Sequence, residues 1–499
     1  MRDSGSVCVY DVGGGYPLGA PFHPDMAYPE YPFATTGPTN AVYRGMRESL
    51  RLLGWDATRY DTAEWDPLGV LVRPGDRVVI KPNLIWHSRK GVPDEWEQVI
   101  THGSVVRAII DYVLIALRGS GEVVIADGPQ LDADWESIVE RTGLAALVAF
   151  YAERASVPVR LLDLRDSCQE VRGDVKYAEH PLPGDPAGAT VVDLGDGSRL
   201  AELGPARFYG ADYDQEETNR HHSQGRHEYR LSATVMGCDV LIDVPKMKTH
   251  KKTGVTLALK NLVGVNSGRN WLPHYRDGAP EDGGDQFDRA SARARAEGRG
   301  VRGFQRLVAR NPHVFAPVFR IAKVIAAPLF GRTATTVRSG NWHGNDTCWR
   351  MVHDVSRAVL YFDAAGARRE SRRRTLVVVD GVVAGEGSGP EDPTRRDAGV
   401  LVVGASLAET DLVCTQLMGF DPHAIPMVHE AFTPHRLPLG VVAADTVTVC
   451  SNRGDWVGRP EGLLSALGTP FACHAGWRDV LCGRSSSADG QGSRKGAGT

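Results

Sequence analysis

Short β-branched apolar runs alternate along this chain with stretches whose apolar residues recur every three to four positions. Arg77-Val78-Val79-Ile80-Lys81 precedes a helical pattern over 104–117, and Glu122-Val123-Val124-Ile125-Ala126 follows it. That order is the grammar of a β-α-β unit in a sheet buried on both faces. In the helix Ser104 is the expected N-cap, and Val106, Ile109, Ile110, Val113 and Leu117 form the stripe that covers the sheet. Further strands are expected at 157–162, 238–244, 375–380, 400–404 and 441–450, and further helices at 41–53, 135–151, 409–418 and 423–431. The expected fold is layered α/β, a mostly parallel sheet flanked by helices, with ligands bound beyond the carboxyl ends of the strands.

The pattern divides the 499 residues into five parts. A segment 1–76 packs on the core, 77–266 and 341–482 are its two halves, 267–340 is a helical or irregular insertion, and 483–499 is a disordered Ser/Gly-rich tail. The insertion ends in a basic-apolar run, 313–331, which Pro317, Arg320, Lys323 and Pro328 break well short of the roughly 20 apolar residues a membrane span needs. Surface-packed helices are the favoured reading. Peripheral contact with a membrane, near a lipid-linked sugar, is the alternative.

With 57 basic and 61 acidic residues and a net charge of -4, no overall positive field draws the chain to nucleic acid. Any anion site must be local. The eight cysteines are scattered singly without a C-x-x-C pair, which suits neither a zinc ribbon nor a ferredoxin cluster, so reduced, buried thiols are expected. The first residues lack the apolar stretch of a secretory leader, and a cytoplasmic location is expected. No phosphate-binding G-x-x-x-x-G-K-[ST] loop, H-E-x-x-H or G-x-S-x-G motif occurs, and Gly13-Gly14-Gly15 lacks the spacing of a dinucleotide fingerprint.

Candidate chemistry concentrates between Lys246 and Thr253. Lys246, Lys248, His250, Lys251, Lys252 and Thr253 follow a strand pattern and precede a helical pattern over 255–263. Lysines crowded at a helix N-terminus, where unpaired N–H groups already carry partial positive charge, call for a bound phosphate or carboxylate. A solvated basic loop is the alternative. Lys260 and Asn261 lie further along that helix, where Lys260 either snorkels or reaches into a site. Asp127, Asp243 and Asp380 end strand patterns, and Glu386 follows the last of them. Carboxylates there can hold a divalent metal or move protons, although Asp-Gly is also a turn signal. His343, Asn345 and Asp346 open a helix whose polar residues Arg350, His353, Asp354 and Arg357 share one stripe, read as a solvent face for His353 and Arg357.

Lys81-Pro82-Asn83-Leu84, Thr101-His102, Ala126-Asp127-Gly128 and, above all, Lys248-Thr249-His250 with the run from Thr253 to Gly264 resemble the DUF362 family, a domain of unknown function. The resemblance spans about 78–411 and implies the fold, a site near these motifs, and roles for Lys81 and Asn83 in it. Some relatives carry a ferredoxin module, for which this chain lacks the closely spaced cysteines. The stretch Gly344 to Met351 resembles a subgroup associated with polysaccharide or secondary-metabolite biosynthesis.

The leading expectation is an enzyme acting on an anionic small molecule, with His250, Asp127 and Lys248 catalytic. Lys81, Asn83, Lys246, Lys251, Lys252, Thr253, Lys260, Asn261, His343, Asn345 and Asp346 are the expected binding residues, and Asp380 and Glu386 the expected metal ligands. A non-catalytic anion-binding or assembly protein is the second reading. A redox iron–sulfur protein, which needs distant cysteines to meet, is the third.

Overall fold

The computed structural model describes residues 5–171, 176–212, 214–310 and 337–482. Its centre is an eleven-stranded mixed sheet. Eight strands lie side by side in the order Thr448–Ser451, Ser6–Asp11, Val400–Gly404, Arg374–Ser388, Val240–Val244, Arg77–Pro82, Glu122–Asp127 and Val159–Asp163. Within this series only Val400–Gly404 runs against the others. Three more strands extend the sheet beyond Arg374–Ser388. Lys246–His250 and Asp392–Arg396 both pair with its second half, and Gly254–Thr256 pairs with Lys246–His250.

Alternation within each strand feeds two cores, as a sheet covered on both faces requires. Val78, Ile80, Val123, Ile125, Ile242, Val378 and Val403 face one side, packed under the helices Ala41–Leu52, Gly103–Leu117 and Leu144–Arg154. Val79, Val124, Leu241, Val377 and Val402 face the other, under Cys348–Tyr361 and Leu407–Leu417.

Most expected elements form within a few residues of the expected bounds, and each departure has a local cause. The helix at Gly103–Leu117 is capped by His102, whose Nδ1 accepts the Ser104 N–H, rather than by Ser104. The expected helix at 135–151 is two helices, because Gly143 takes a left-handed φ of 73° between them. Pro426 limits the expected 423–431 helix to short turns. Of the expected strand at 441–450 only Thr448–Ser451 forms, after a 3-10 turn at Ala444–Thr446. Ser6–Asp11 does more than pack on the core, since it is an inner strand of the sheet.

Two expectations are corrected outright. Cys473 and Cys482 form a disulfide, so the cysteines are not all reduced. His353 and Arg357 are not on a solvent face but buried to 0% exposure, as is Asp354 beside them. Asp354 accepts from the Arg199 N–H at 2.8 Å and the Tyr229 hydroxyl at 3.0 Å, while Arg357 donates to the Leu437 carbonyl at 3.0 Å. The helix thus ties down chain segments far away in sequence. The run 313–331 and the tail 483–499 lie outside the described residues. Among those described, no helix is long and apolar enough to cross a membrane.

Candidate functional site

Lys81 and Asp127 stand at the carboxyl ends of adjacent parallel strands, the edge at which sheets of this type bind ligands. They form an ion pair of 2.8 Å with both side chains almost wholly buried. Lys81 also donates to Asn261 Oδ1 at 3.0 Å, and Asn83 donates to the same oxygen at 2.8 Å. Asn261 in turn donates to Asp243 at 2.8 Å. Both oxygens of Asp127 are engaged, Oδ2 by the Leu84 N–H at 2.7 Å and Oδ1 by the Gly128 N–H at 2.9 Å as well as by Lys81. Such a network holds its members rigidly, because every buried polar atom that loses its partner is costly.

Above this network opens a cavity of about 490 Å³, within the range of small-molecule sites. Lys81, Asn83, Asp127, His250, Lys251, Lys252, Lys260 and Asn261 line it, as do Lys90, Asp132, Asp212, Thr256, Arg269, His274, Tyr275 and Glu391. Six of these residues are formal cations and four are carboxylates. Lys251 stands 3.8 Å from Glu391, and the Lys252 ammonium lies 4.7 Å from the Tyr275 ring centre and donates to the Ser339 carbonyl. Among the described residues no hydrogen bond or ion pair engages Lys260. Thr256 is 3% exposed, and its hydroxyl has no partner among them either.

Burial lowers the proton affinity of these cations, and neighbouring charges modify it. Lys252 is pushed down to about 8, by burial first. Lys260 is also lowered by burial, with Arg269 and Lys81 adding repulsion. His274 falls to about 3, from burial and then Lys260 and Lys252. His250 lies well below the ordinary imidazole range for the same kind of reason, burial and then Lys260, Lys251 and Lys252. A pocket that weakens its own cations in this way restores them when an anion enters.

The basic motif is built differently from its sequence reading. Lys246–His250 is a buried strand, not a loop leading into a helix, and the helix that follows is the short Ala258–Asn261. The first N–H groups of that helix donate to Asp411, from Ala258 at 2.7 Å and Leu259 at 3.0 Å. An internal carboxylate therefore already occupies the helix N-terminus, and the cavity lies elsewhere. Period-two alternation separates the motif residues. Met247 enters the core, whereas Lys246 pairs with Asp380 at 2.7 Å and Lys248 donates to Asn83 at 3.0 Å and the Val99 carbonyl at 2.6 Å. Lys246 and Lys248 thus support the wall without being part of it. Thr253 likewise donates to the Val255 carbonyl at 3.1 Å.

Asp380 and Glu386 do not meet at one ion. They are six residues apart in one strand, roughly 20 Å at about 3.3 Å per residue. Asp380 is held by Lys246 and by the Tyr16 hydroxyl at 2.6 Å, and Glu386 by Arg396 at 3.1 Å. Among the described residues no three His, Cys, Asp or Glu side chains are grouped to hold a metal. His343 is exposed and outside the cavity wall. Asn345 lies behind the wall and donates to the His274 carbonyl at 3.0 Å, while Asp346 pairs locally with Arg350 at 3.0 Å.

Sequence reasoning missed Lys90, Arg269, His274 and Glu391. His274 and Arg269 fall in the stretch read as an insertion, yet the pairing of Tyr275–Arg276 with Phe208–Tyr209 carries His274 to the cavity. The signal for them was Arg269-Asn270-Trp271-Leu272-Pro273-His274-Tyr275, an aromatic and basic run inside a stretch assigned to surface loops.

A thylakoid-associated protein of Synechocystis sp. is 20% identical to this chain over 378 residues, covering 76% of this chain and 73% of that protein. The crystal structure of a Thermotoga maritima protein, a structural genomics target, aligns at 11% identity with a TM-score of 0.31, covering 74% of this chain and 58% of that one. The model of a domain of unknown function, DUF362, matches residues 78–167 and 153–416, well over half of the sequence, and the chain belongs to that family.

Proposed function

We propose that this protein is an enzyme acting on an anionic small molecule, phosphorylated or carboxylated, held in the cavity over Lys81 and Asp127. The observation that carries this reading is Lys260, an ammonium in the cavity wall that no described residue neutralises. Lys251, Lys252 and Arg269 surround the same space, and the Thr256 hydroxyl beside them lacks a partner. A bound oxyanion supplies what Lys260 and Thr256 lack, with charge-assisted hydrogen bonds shorter and stronger than neutral ones. Two neutral imidazoles in the same wall can exchange protons with the bound molecule, which favours an enzyme over a passive carrier.

Titration calorimetry with inorganic phosphate tests the reading. Replacing Lys260 by Met keeps much of the side-chain volume and removes the charge. A lost hydrogen bond to a charged group is worth about 1.5–3 kcal/mol, so phosphate affinity is expected to fall roughly 10- to 150-fold in Lys260→Met. Affinity of the wild type is also expected to fall as pH rises through about 8, because Lys252 loses its proton there and a neutral amine gives an anion no Coulomb attraction. Unchanged affinity in the variant, or affinity that rises with pH above 8, contradicts the proposal.

A further inference from the structure

His250 and His274 face the same cavity with opposite ring tautomers. His250 Nδ1 accepts two backbone N–H groups, from Lys252 at 3.0 Å and Thr253 at 3.2 Å. A nitrogen that accepts two N–H donors carries no proton, so the ring proton of His250 is on Nε2. His274 is the reverse. Its Nδ1 lies 2.8 Å from the Leu272 carbonyl, which can only accept, so Nδ1 carries the proton and Nε2 is a bare lone pair. Neither Nε2 has a hydrogen-bond partner among the described residues. The backbone on both sides fixes the His274 ring, since its N–H donates to Tyr209 at 2.7 Å and its carbonyl accepts from Asn345.

We infer that His274 is the general base of this site and that His250 is a neutral hydrogen-bond donor to the substrate, an anionic molecule with an acidic O–H or C–H group beside its charged group. This rests on the anionic-substrate reading above. In the step, the substrate O–H or C–H bond breaks, its proton forms a new N–H bond at His274 Nε2, and the electron pair stays on the substrate. The resulting negative charge lies among the His250 N–H and the Lys260 ammonium, and no oxidant or second reactant is consumed. A neutral imidazole fixed as an N–H donor can polarise an oxygen without giving up its proton.

The charged and titratable groups around His274 explain why the base is silent until substrate arrives. Lys252 and His250 face it from the Lys246–Thr256 hairpin, Lys260 from the following helix, and Arg269 from the turn beyond. With burial, Lys260, Lys252 and Arg269 hold its proton affinity down, to about 3. An anion between them offsets that repulsion and raises the proton affinity of Nε2.

The test is two-bond proton–nitrogen NMR of the histidine rings in the 15N-labelled protein, with and without sulfate, a dianion that does not titrate near neutrality. The expected spectra show His274 as the Nδ1–H tautomer and His250 as the Nε2–H tautomer, and sulfate raises the His274 titration from about 3 to above pH 5.5. His274→Gln is expected to bind sulfate within about threefold of the wild type at pH 8, where the ring stays neutral, and to bind more weakly at pH 5.5, losing the proton uptake seen there when calorimetry is repeated in buffers of different ionisation enthalpy. At that pH Lys252 is already protonated in the free protein and adds nothing to the uptake, and its loss in His274→Gln assigns the uptake to that imidazole. His274 in the Nε2–H form, or sulfate binding without a His274 response, overturns the inference and leaves the anion reading standing. Absence of sulfate and phosphate binding overturns both.

Discussion

Asp380→Ala is expected to destabilise the protein by about 3–5 kcal/mol, the usual cost of leaving one member of a buried ion pair alone. Lys246 and Asp380 are register partners on neighbouring strands, both side chains are 0% exposed, and the pair is 2.7 Å apart. Asp380 also accepts from the Tyr16 hydroxyl and from the His102 N–H at 2.9 Å, so its loss takes an acceptor from both and leaves the Lys246 ammonium with only neutral partners, the Tyr16 hydroxyl at 2.7 Å and the Val383 carbonyl at 3.2 Å. Total stabilities of about 5–15 kcal/mol make this a large fraction of what holds the chain folded. The double variant Lys246→Met, Asp380→Ala removes both charges and is expected to recover part of the loss. Denaturant unfolding of the three proteins checks it. A single variant within about 1 kcal/mol of the wild type would show that the Tyr16 hydroxyl, the Val383 carbonyl and water satisfy Lys246 without Asp380, contrary to the expected cost of an unpaired buried charge.

The second large effect is expected at Gly264, the last residue of the long sequence motif. A Cβ there would lie 2.2 Å from Asp127 Oδ1 and 2.8 Å from Lys81 Nζ. Neither atom can retreat, because Asp127 is pinned by two backbone N–H groups and Lys81 by Asp127, Asn261 and the Pro82 carbonyl. Gly264→Ala should therefore cost about 3 kcal/mol, at the upper end of overpacking effects, and disrupt the floor of the cavity. The backbone at Gly264 is not left-handed, so close approach alone demands glycine. Unfolding and phosphate titrations together distinguish this from a mild surface change. Wild-type stability and affinity in Gly264→Ala would mean that the Lys81–Asp127 pair is free to shift.

What could be read from the sequence follows the range of the forces involved. Val78-Val79-Ile80 and Val123-Val124-Ile125 show their strands directly, because burial on both faces makes them apolar throughout. The Gly103–Leu117 helix was legible to within one residue from its own stripe. Lys246–His250 was not legible as a strand, since alternate side chains are charged and their partners, Asp380 and Asn83, lie more than a hundred residues away. The same holds for Asp354 and Arg357, whose partners at Arg199, Tyr229 and Leu437 no local pattern announces. For the site, the family motifs led to Lys81, Asp127, His250 and Lys260, all in the cavity wall. Neither these motifs, which led to Lys248, nor the acids at strand ends, which led to Asp380, could separate wall from support. His274 lies in the stretch read as an insertion, and the short pairing with Phe208–Tyr209 brings it into place.

The central claim, a local oxyanion site in an otherwise acidic chain, is tested most directly by a crystal soaked with tungstate, a tetrahedral dianion located by its anomalous scattering. The account predicts a peak inside the cavity within hydrogen-bonding distance of Lys260 and close to His250 Nε2. A cavity without tungstate, in a crystal whose solvent channels reach it and whose other sites are occupied, would contradict it.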